Sequence, residues 1–490
     1  MKKYNVVLMF IDDLGIGDVS CYNENSKIKT ECMDQLAKEG MKFTNAHTTS
    51  ALCTPSRYGL LTGRYNWRST LKRLVYVASE DNLIEEGRMT LASFLKGQGY
   101  RTACIGKWHL GMRWEHTGPG PFDVDYSVPY TQGPNDCGFD YFYGIQSSLG
   151  QAPYVFLEND HAVSVPDTMS GWDNMVLFDT KTIHQWRRGP AASDYDVTKC
   201  CSILHEKALA QIDEFAKSDE PFFLYYPTPA VHVPILPSEE FQGKSEIGPY
   251  GDFVLMADAM LGDIQKKIKE HDLEENTILI LASDNGCAYN VDFPRLISLG
   301  HNPSYIYRGA KGDIYEGGHR VPYIVKAPGI VQENTECGEL VSLADILATF
   351  ADYFDEKLPD DAGEDSVSNL ALWYGDMTPV RKDIVYSSKD GALSIQKGPW
   401  KLEMCPGSGG PFDTIYGLDS VKCSQFQLYN VEGDITERWN VIEQHPDIAL
   451  ELKELLIKYI KDGRSTEGKP QKNSGKCHDY WKEIDWIRNN

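Results

Sequence analysis

The sequence lacks the patterns that would assign it to a membrane or to a nucleic acid. Its first apolar run, Asn5 to Ile11, is too short for a membrane span or a signal peptide and ends in two aspartates. Positive charge is scarce, because 48 lysines and arginines face 71 aspartates and glutamates, giving a net charge of -23. A field of that sign repels nucleic acids and anionic membranes, so we expect neither as a partner.

The Cys-x-x-Cys spacing is missing as well. Twelve cysteines are present, but no two form a Cys-x-x-Cys arrangement. The sequence therefore predicts neither a zinc site of that kind nor a thioredoxin-like motif. The cysteines do not decide the compartment. From the amino terminus, where Met1 to Tyr4 leads directly into the apolar run, we expect a cytoplasmic protein; the alternative is an exported protein whose leader has been removed.

The order of helical and strand-like segments predicts an α/β protein. Apolar runs such as 222–226 and 277–282 alternate with helical patterns at 195–217, 252–270 and 340–354. After a polar stretch at 358–368, four short runs predict an antiparallel sheet (383–388, 392–396, 400–404 and 426–431), and 448–460 predicts a helix. At 490 residues the chain is long enough for about two domains, which we place at 1–375 and 376–490.

Acidic and amide side chains follow two of the predicted strands. Asp12 and Asp13 follow the run at 4–11, and Asp284 and Asn285 follow the run at 277–282. Functional groups cluster at the carboxyl ends of strands in open α/β sheets. A set of oxygen ligands alone favours Ca²⁺, or less favourably Mg²⁺, over zinc. The alternative is that each of these residues stabilises a turn or caps a helix.

The stretch Cys53-Thr54-Pro55-Ser56-Arg57 is the most specific feature of the sequence. Proline is well suited to the first turn of a helix, where its missing N–H is not needed. We therefore expect Cys53 at a helix N-terminus, a position that favours anions and lowers the pKa of a thiol. The alternative is a buried, inert cysteine.

This stretch, with Tyr58 to Arg64 behind it, resembles the signature of the formylglycine-dependent sulfatases. In that family a maturation enzyme oxidises the cysteine to Cα-formylglycine. The resemblance covers most of residues 4–330 and is nearest to bacterial arylsulfatases and N-acetylgalactosamine-6-sulfatase-like enzymes. It implies an alkaline-phosphatase-like fold, with a large, mixed, mostly parallel sheet flanked by helices and a smaller C-terminal antiparallel sheet packed with a helix.

The resemblance also implies a reaction and its residues. We expect hydrolysis of a carbohydrate sulfate ester, with galactose or N-acetylgalactosamine sulfate as the first choice. The matching calcium ligands are Asp12, Asp13, Asp284, Asn285 and the modified Cys53. Arg57 matches the arginine that steadies the formylglycine, and Lys107 and Lys311 match the lysines that contact the sulfate. His109 matches the histidine that bonds the formylglycine hydrate, and His232 the one that protonates the leaving group.

The implied mechanism depends on the two hydroxyls of a hydrated aldehyde. One hydroxyl, activated by Asp284 and the metal, attacks sulfur while His232 protonates the departing alcohol. The second, deprotonated by His109, then releases sulfate. Taken singly, each histidine or lysine here has an alternative interpretation as a core or solvated loop residue.

An acidic protein that binds an anion needs cations close to its site. We expect further basic residues at the mouth of the pocket: Arg64, Arg68, Lys72, Arg73, His301, Arg308, His319 and Arg320. Of these, His301, Arg308 and His319 are predicted substrate contacts; the alternative is that most are solvated charges. Four tryptophans are predicted to stack on sugar faces or, alternatively, to belong to the core: Trp67, Trp114, Trp172 and Trp186. Because the negative field acts beyond a small cationic pocket, we expect small or terminal sulfated sugars as substrates.

Two other functions are compatible with these residues. One is a phosphatase or phosphodiesterase of the same superfold, since phosphate and sulfate esters need similar cations. Such enzymes generally use serine or threonine and two metals, whereas this sequence offers a cysteine and one set of oxygen ligands. The other is a protein that binds sulfated glycans without turnover, which applies if Cys53 stays unmodified.

Overall fold

The computed structural model describes residues 2–77, 79–171, 177–178, 181–418, 424–475 and 482–487. The strands within these residues are β1 (Asn5–Ile11), β2 (Met41–Phe43), β3 (Ala46–His47), β4 (Arg101–Lys107), β5 (Tyr141–Ile145), β6 (Leu157–Glu158), β7 (His161–Ala162), β8 (Thr168–Ser170), β9 (Leu177–Phe178), β10 (Ile183–His184), β11 (Gly189–Ala191), β12 (Phe222–Thr228), β13 (Thr277–Ser283), β14 (Tyr323–Lys326), β15 (Thr335–Cys337), β16 (Val341–Ser342), β17 (Asp383–Ser387), β18 (Leu393–Lys397), β19 (Trp400–Glu403) and β20 (Gln427–Asn430).

The same residues contain eleven α-helices. They are α1 (Glu31–Lys38), α2 (Cys53–Thr62), α3 (Leu91–Gly97), α4 (Cys200–Phe215), α5 (Pro249–Glu270), α6 (Phe293–Ser298), α7 (Glu316–His319), α8 (Ile346–Tyr353), α9 (Leu370–Trp373), α10 (Phe412–Ile415) and α11 (Pro446–Asp462). Among the described residues, no helix combines the length and apolar character needed to cross a bilayer.

A ten-stranded sheet forms the centre of the molecule, in the order β15-β2-β14-β13-β1-β12-β4-β5-β6-β7. Strands β13, β1, β12, β4 and β5 run parallel, whereas β14 is antiparallel to both of its neighbours. Ile11 lies opposite Thr228 on one side and Ser283 on the other, so three parallel strands end at the same level. The predicted large mixed sheet is confirmed.

Both faces of this sheet are covered, which explains why its central strands are apolar throughout. In β1, Val6, Leu8 and Phe10 point into one hydrophobic core. The alternate residues Val7, Met9 and Ile11 point into a second core on the other face. Helices α4 and α5 pack together over the second face, and α3 and α8 cover the first.

The C-terminal region forms a four-stranded antiparallel sheet in the order β17-β18-β19-β20, as predicted. Leu393 and Leu402 of this sheet pack with Leu456 of α11 in a third core, which Tyr65 and Trp67 also enter. The predicted domain boundary at 375–376 falls between α9 and β17. Two aromatic residues that follow α2 therefore share a core with the C-terminal sheet.

Two predicted segments differ from the structure. The helix predicted at 340–354 starts only at Ile346, because Ser342 accepts a hydrogen bond from the Ala344 N–H and caps a short 3₁₀ turn before it. Residues 112–190 have weak periodicity, which predicts long loops over the sheet, but they contain β5, which pairs in parallel with β4 and extends the central sheet. Its five-residue length explains why sequence periodicity missed it.

Candidate active site

Cys53 is the first residue of α2, as predicted. Leu52 before it is extended, and Pro55 occupies the first turn, where an N–H would have no helical partner. Gly63 ends the helix in a left-handed conformation, with φ 63°, and donates its N–H to the Gly59 carbonyl. The helix is therefore fixed at both ends by local chemistry.

The environment of the Cys53 thiol differs from the one predicted. Only 2% of the residue is exposed. Burial raises the pKa of Cys53, although Lys107 and Lys311 act in the opposite direction. The expected lowering of the thiol pKa by the helix N-terminus is therefore wrong, because desolvation disfavours the thiolate more than the nearby cations favour it. The unmodified cysteine is a neutral thiol in the wall of a cavity.

Four polar residues meet Cys53 at the edge where the parallel strands end. Asp12 and Asp13 follow β1, while Asp284 and Asn285 follow the adjacent β13. The Asp13 N–H donates to Asp284 Oδ1 at 3.1 Å, and Asn285 Nδ2 donates to Asp13 Oδ1 at 2.7 Å. The two strand ends are thus tied into one polar group.

Arg57 joins this group to α2. Its guanidinium donates to Asp284 Oδ2 through Nε at 3.1 Å and Nη2 at 2.6 Å, and its Nη1 donates to the Lys107 carbonyl at 3.2 Å. Burial and the neighbouring Asp12 raise the pKa of Asp284, while Arg57 opposes them. Arg57 therefore orients Asp284 and compensates part of the cost of burying its charge.

Two lysines pair with the aspartates that follow β1. Lys107, the last residue of β4, donates to Asp12 Oδ2 at 2.6 Å, and Lys311 donates to Asp13 Oδ1. Burial opposes ionisation of Asp12, but Lys107 and His232 outweigh it and hold the pKa below its ordinary value. Burial likewise opposes ionisation of Asp13, but Lys311 and His232 outweigh it and lower the pKa. Asp12 and Asp13 are therefore carboxylates held by two cations.

Three buried oxygens of this group have no hydrogen-bond partner in the described part of the chain: Asp12 Oδ1, Asp13 Oδ2 and Asn285 Oδ1. An unsatisfied buried acceptor is costly and indicates a missing partner. Ligand atoms of Asp12, Cys53 and Asp284 lie within 4.8 Å of one another, as do those of Asp12, Asp13 and His232. Two carboxylate oxygens and an amide oxygen are ligands that suit a hard divalent cation, so these residues fit a bound metal.

His109 follows β4 in a left-handed conformation, with φ 59°, which is uncommon outside glycine. Its Nε2 lies 2.8 Å from the Tyr76 carbonyl, which can only accept, so Nε2 carries the hydrogen. Burial and the nearby Lys107 hold the pKa of His109 well below its ordinary value, so the ring is neutral. Its Nδ1 is consequently a buried acceptor, and it has no partner among the described residues.

His232 lies beyond the end of β12, on the other side of Asp13. Its Nδ1 donates to the Val233 carbonyl at 2.5 Å, and its Nε2 lies 3.7 Å from Asp13 Oδ2. Burial and Lys311 lower the pKa of His232. The imidazole is therefore fixed with Nε2 toward the carboxylates.

A cavity of ≈ 390 Å³ opens beside these groups. Its wall includes Asp13, Cys53, His109, His232 and Lys311. The other lining residues come from several loops: Leu52, Val75, Ser148, Gly150, Gln151, Gln185, Arg187, Val233, Ala288, Tyr289, Asn290, Lys389 and Pro411. The structure thus brings five of the predicted site residues to the wall of one small-molecule cavity.

The three outer residues predicted to contact substrate do not lie in this cavity. His301 is buried and bonds Asp18 Oδ1 through Nε2 at 2.8 Å. His319 is buried, with its Nε2 at 3.0 Å from the Ile314 carbonyl. Arg308 donates to the Glu437 carbonyl at 2.6 Å and stacks on Tyr315. The prediction for these three is wrong, because each is engaged in holding loops together.

The other cations predicted at the pocket mouth do not line the cavity either. Arg64 pairs with the half-buried Glu85 and the buried Glu364. Arg68 pairs with Asp365 and Arg320 with Glu316, both as buried ion pairs. Lys72 is buried and donates to backbone carbonyls, whereas Arg73 is exposed but does not line the cavity. These side chains stabilise the fold around α2 and α7.

Three of the four tryptophans predicted to stack on sugars do not line the cavity either. Trp67 and Trp114 are buried, the first stacked on Tyr65 and the second donating to Gln146 Oε1 at 2.9 Å. Trp186 is half-buried and packs outside the cavity wall, beside Ala152 and Tyr154. Trp172 lies outside the described residues. Stacking of a sugar on Trp67 or Trp114 is therefore excluded by burial.

Several lining residues were not predicted from the sequence. Ser148, Gly150 and Gln151 follow the parallel strand β5, so the strand-end rule applied to Asp12 and Asp284 would have found them once β5 was recognised. Arg187 and Lys389 lie on loops after antiparallel strands, where no such rule applies.

Comparisons with known proteins agree with this geometry. The family model described as Sulfatase matches residues 4–356. An N-acetylgalactosamine-6-O-sulfatase of Bacteroides thetaiotaomicron is 36% identical over 488 residues, which cover 93% of each chain. Human arylsulfatase A is 30% identical, over 95% of this chain and 90% of its own.

A solved structure from work on the metabolism of multiple glycosaminoglycans by Bacteroides thetaiotaomicron superposes with a TM-score of 0.81 at 34% identity. It covers 94% of this chain and 99% of its own. The matched region contains the ends of β1, β4, β12 and β13, and it also contains Lys311. The chain therefore belongs to the sulfatase family and is a sulfuric ester hydrolase.

Proposed function

We propose that this protein removes a sulfate ester from galactose or N-acetylgalactosamine, using formylglycine formed from Cys53 and a bound Ca²⁺. The observation that carries the proposal is that Cys53, two paired lysines and three unsatisfied oxygens form one group beside a cavity. The sugar is proposed from the relative named N-acetylgalactosamine-6-O-sulfatase, which is similar over 93% of this chain. The 6-sulfate is accordingly the first position to test.

The metal would be held by Asp12, Asp13, Asp284 and Asn285, together with residue 53 after its oxidation. When bound, Ca²⁺ would act as a Lewis acid toward oxygens of the sulfate and of residue 53. Hydrated formylglycine would supply one hydroxyl to attack sulfur and a second whose deprotonation releases sulfate. Three carboxylates here face the three cations Arg57, Lys107 and Lys311, so a divalent ion would leave the site positive for an anionic ester.

A maturation enzyme is the expected protein partner. Cys53 is 2% exposed and lies within a helix whose residues are all buried. Another enzyme cannot reach the thiol in that state. We therefore place the oxidation before the fold closes around α2.

Lys107 and Lys311 supply the charge that the sulfate needs. Both reach the carboxylates from neighbouring segments, and the Lys107 side chain is fully buried. Because this position is shielded from solvent, ammonium groups stabilise negative charge on sulfuryl oxygens more strongly than they would in water. Their role in the reaction is to hold the ester and to balance the charge that develops on it.

His232 is the proposed acid for the leaving alcohol. In the free site it is neutral, because burial and Lys311 lower its pKa. A bound sulfate ester adds negative charge nearby, which favours the protonated ring. With Nδ1 donating to Val233, the additional proton resides on Nε2, the nitrogen that faces the site.

His109 is the proposed base. Its Nε2–H is occupied by the Tyr76 carbonyl, so only Nδ1 is able to accept a proton. The low pKa of the ring keeps that nitrogen free of a proton at neutral pH. His109 is therefore suited to take the proton of the second hydroxyl at residue 53.

The test is a panel of sugar esters treated with protein that has been coexpressed with a maturation enzyme. The panel contains the 6-sulfates of N-acetylgalactosamine, galactose and N-acetylglucosamine, N-acetylgalactosamine 4-sulfate, and N-acetylgalactosamine 6-phosphate. We expect the fastest sulfate release from the two galacto-configured 6-sulfates. Faster release of phosphate than of sulfate would instead support the phosphatase alternative. Binding without turnover, with Cys53 intact by peptide mass, would support the glycan-binding alternative.

A further inference from the structure

Two basic side chains of the cavity wall are not used by the chemistry described above. Arg187 lies on the loop between β10 and β11, and Lys389 lies on the turn between β17 and β18. Within the described residues, neither side chain forms an ion pair or hydrogen bond. By contrast, Lys311 in the same wall pairs with Asp13.

The charge of the cavity wall is opposite to that of the protein. Arg187, Lys311 and Lys389 face a single described carboxylate, Asp13, while the chain as a whole carries -23. Asp13 already accepts hydrogen bonds from Lys311 and Asn285. The positive charge of Arg187 and Lys389 is therefore not needed to neutralise the wall itself.

The backbones that carry these two side chains are fixed. The Arg187 N–H donates to the Gly150 carbonyl at 2.9 Å, and Tyr154 Oη donates to the Arg187 carbonyl at 2.5 Å. An ideal Cβ on Gly150 would lie 3.4 Å from the Val233 carbonyl oxygen, so this segment lies against the residue after His232. The backbone of Arg187 is thus fixed on the same side of the cavity as His232, the proposed acid for the leaving group.

The backbone of Lys389 is fixed beside the segment that carries Lys311. Its N–H donates to the Gly312 carbonyl at 2.8 Å, directly after Lys311, and its carbonyl accepts from the Leu74 N–H at 2.9 Å. One cation therefore comes from a loop of the α/β part and the other from the C-terminal sheet. Both long side chains are half-buried or exposed, so they are free to reach a ligand in the cavity.

We propose that Arg187 and Lys389 bind a second anionic group of the substrate, beyond the sulfate ester that is cleaved. This inference rests on the proposed carbohydrate sulfatase activity and specifies its substrate class. Guanidinium groups bind carboxylates and sulfates in a two-pronged geometry, and lysine adds a point charge. The second group is an oxyanion, either the carboxylate of an adjoining uronic acid or a second sulfate on the same sugar.

The size of the cavity limits where that group lies. A volume of ≈ 390 Å³ is near the lower end of the range of about 300–1,000 Å³ typical of small-molecule sites. It suits one or two sugar rings. The second anion is accordingly on the same sugar or on its immediate neighbour.

The test compares kcat/KM for three substrates that share one cleavable sulfate. They are a monosulfated sugar, the same sugar linked to a uronic acid, and the same sugar with a second sulfate. For Arg187→Gln and Lys389→Met, we expect kcat/KM to fall about tenfold more for at least one of the dianionic substrates than for the monosulfated sugar. The matched controls Arg188→Gln and Lys382→Met remove exposed cations that do not line the cavity, and we expect no such difference for them.

The dianionic substrate that shows the larger effect identifies the source of the oxyanion. Equal losses on all three substrates would overturn the proposal, as would no loss on any. A uronic acid methyl ester of the same size should behave like the monosulfated sugar.

Binding to the inactive Cys53→Ala variant separates this proposal from the proposed function. Calorimetry should show tighter binding of a dianionic sugar than of the monosulfated sugar, and this difference should be lost in Cys53→Ala/Arg187→Gln. Failure of wild-type turnover on every sugar would count against the proposed activity alone. Equal binding of the sugars by Cys53→Ala would refute the second-anion site.

Discussion

Two buried clusters of charged residues in this protein have similar composition. They differ in whether their oxygen atoms have hydrogen-bond and ionic partners within the protein. The sulfate-site cluster consists of Asp12, Asp13, Asp284, Lys107, Lys311 and Arg57. The junction cluster lies where α7 meets the C-terminal sheet and consists of His47, Glu316, His319, Lys401, Glu403 and Glu437. In the junction cluster, the ligand atoms of His47, Glu316 and His319 lie close enough to hold a metal ion. At the sulfate site, Asp12 and Asp284 form such a group with the adjacent Cys53. Proximity of ligand atoms therefore does not distinguish the two clusters.

In the junction cluster a lysine already occupies the position of a cation. Lys401 Nζ donates to Glu437 at 2.6 Å, to Glu316 at 3.1 Å and to the Ile314 carbonyl at 3.0 Å. Burial opposes ionisation of Glu316, but Lys401 and Arg320 outweigh it and hold its pKa well below the ordinary value. Charge and hydrogen bonding are thus balanced by the protein itself.

One oxygen of the junction cluster, Glu403 Oε1, has no hydrogen-bond partner in the described residues. Burial and the neighbouring Glu437 raise the pKa of Glu403 well above its ordinary value, which favours the protonated form, a poor metal ligand. The sulfate-site cluster instead leaves oxygens of the ionised Asp12 and Asp13 unsatisfied. Unused acceptors on ionised groups, at the wall of a cavity, are what distinguish a site for ligands from a structural network.

The largest effect is expected from Cys53, where the sulfate-site cluster meets the cavity. Cys53→Ala should lose turnover by on the order of 10⁶-fold, as when other nucleophiles are removed, because a methyl group cannot form a hydrate. Cys53→Ser should fail as well, since serine has one hydroxyl and none left to expel sulfate. Sulfate release over many turnovers is the measurement.

The control for this prediction is another buried thiol, one that does not line the cavity. Cys104, which lies within β4 and does not line the cavity, should tolerate replacement by alanine with its activity largely retained. Undiminished steady-state activity of either Cys53 variant would contradict the mechanism based on a hydrate.

The second prediction exchanges one lysine from each cluster. Lys107→Met removes a cation directed at the substrate, so kcat should fall by about 10²–10³-fold while the calcium-loaded protein stays folded. Lys401→Met leaves three buried glutamates without their shared partner, so the free energy of unfolding should fall by about 3–5 kcal/mol. Denaturant unfolding and kinetics on the folded fraction separate the two effects.

The roles assigned to the two clusters would be wrong if these effects were reversed. A Lys401 variant that unfolds normally but loses its activity would make the junction cluster catalytic. A Lys107 variant that is active but unstable would make the sulfate-site cluster structural.

The third prediction concerns the metal. Chelation should abolish activity, and Ca²⁺ should restore it better than Zn²⁺, because the unsatisfied ligands are all oxygens. At a Ca²⁺ concentration of about 100 times Kd, the free energy of unfolding should rise by about 2.7 kcal/mol. Asp13→Asn should weaken this stabilisation, whereas Glu316→Gln should leave it unchanged.

Full activity in a preparation verified to be free of metal would contradict the third prediction. So would a calcium-dependent stabilisation that Glu316→Gln removes and Asp13→Asn retains.

The fold and the inner site were predictable because local sequence and strand topology determine them. Apolar runs such as β1 are buried on both faces, and the residues after them meet wherever parallel strands end together. This places Asp12 and Asp284 side by side although they are far apart in sequence. Pro55 and Gly63 likewise fix α2 through their own backbone preferences.

The outer site was not predictable, because long-range packing decides which charges face the cavity. Arg68 follows α2 closely in sequence, yet Asp365 draws it into the core shared with the C-terminal sheet. Lys389 is distant in sequence, yet its backbone bond to Gly312 brings it beside Lys311. The sign of a charge is visible in the sequence, but its partner is not.

The smallest effect is expected from the length of the substrate. Arg64 and Arg68, which follow α2, are paired in the interior. Only Arg187, Lys311 and Lys389 line the described cavity as cationic residues. Beyond it, the field of a protein carrying -23 repels each further sulfate of a polymer. Per accessible sulfate, kcat/KM for a sulfated mono- or disaccharide should exceed that for the matching polymer by about threefold to tenfold at low salt. Moderate salt should narrow the gap by screening the repulsion. If the polymer were preferred at low salt and lost that preference as salt rose, an extended cationic groove would have to exist outside this cavity.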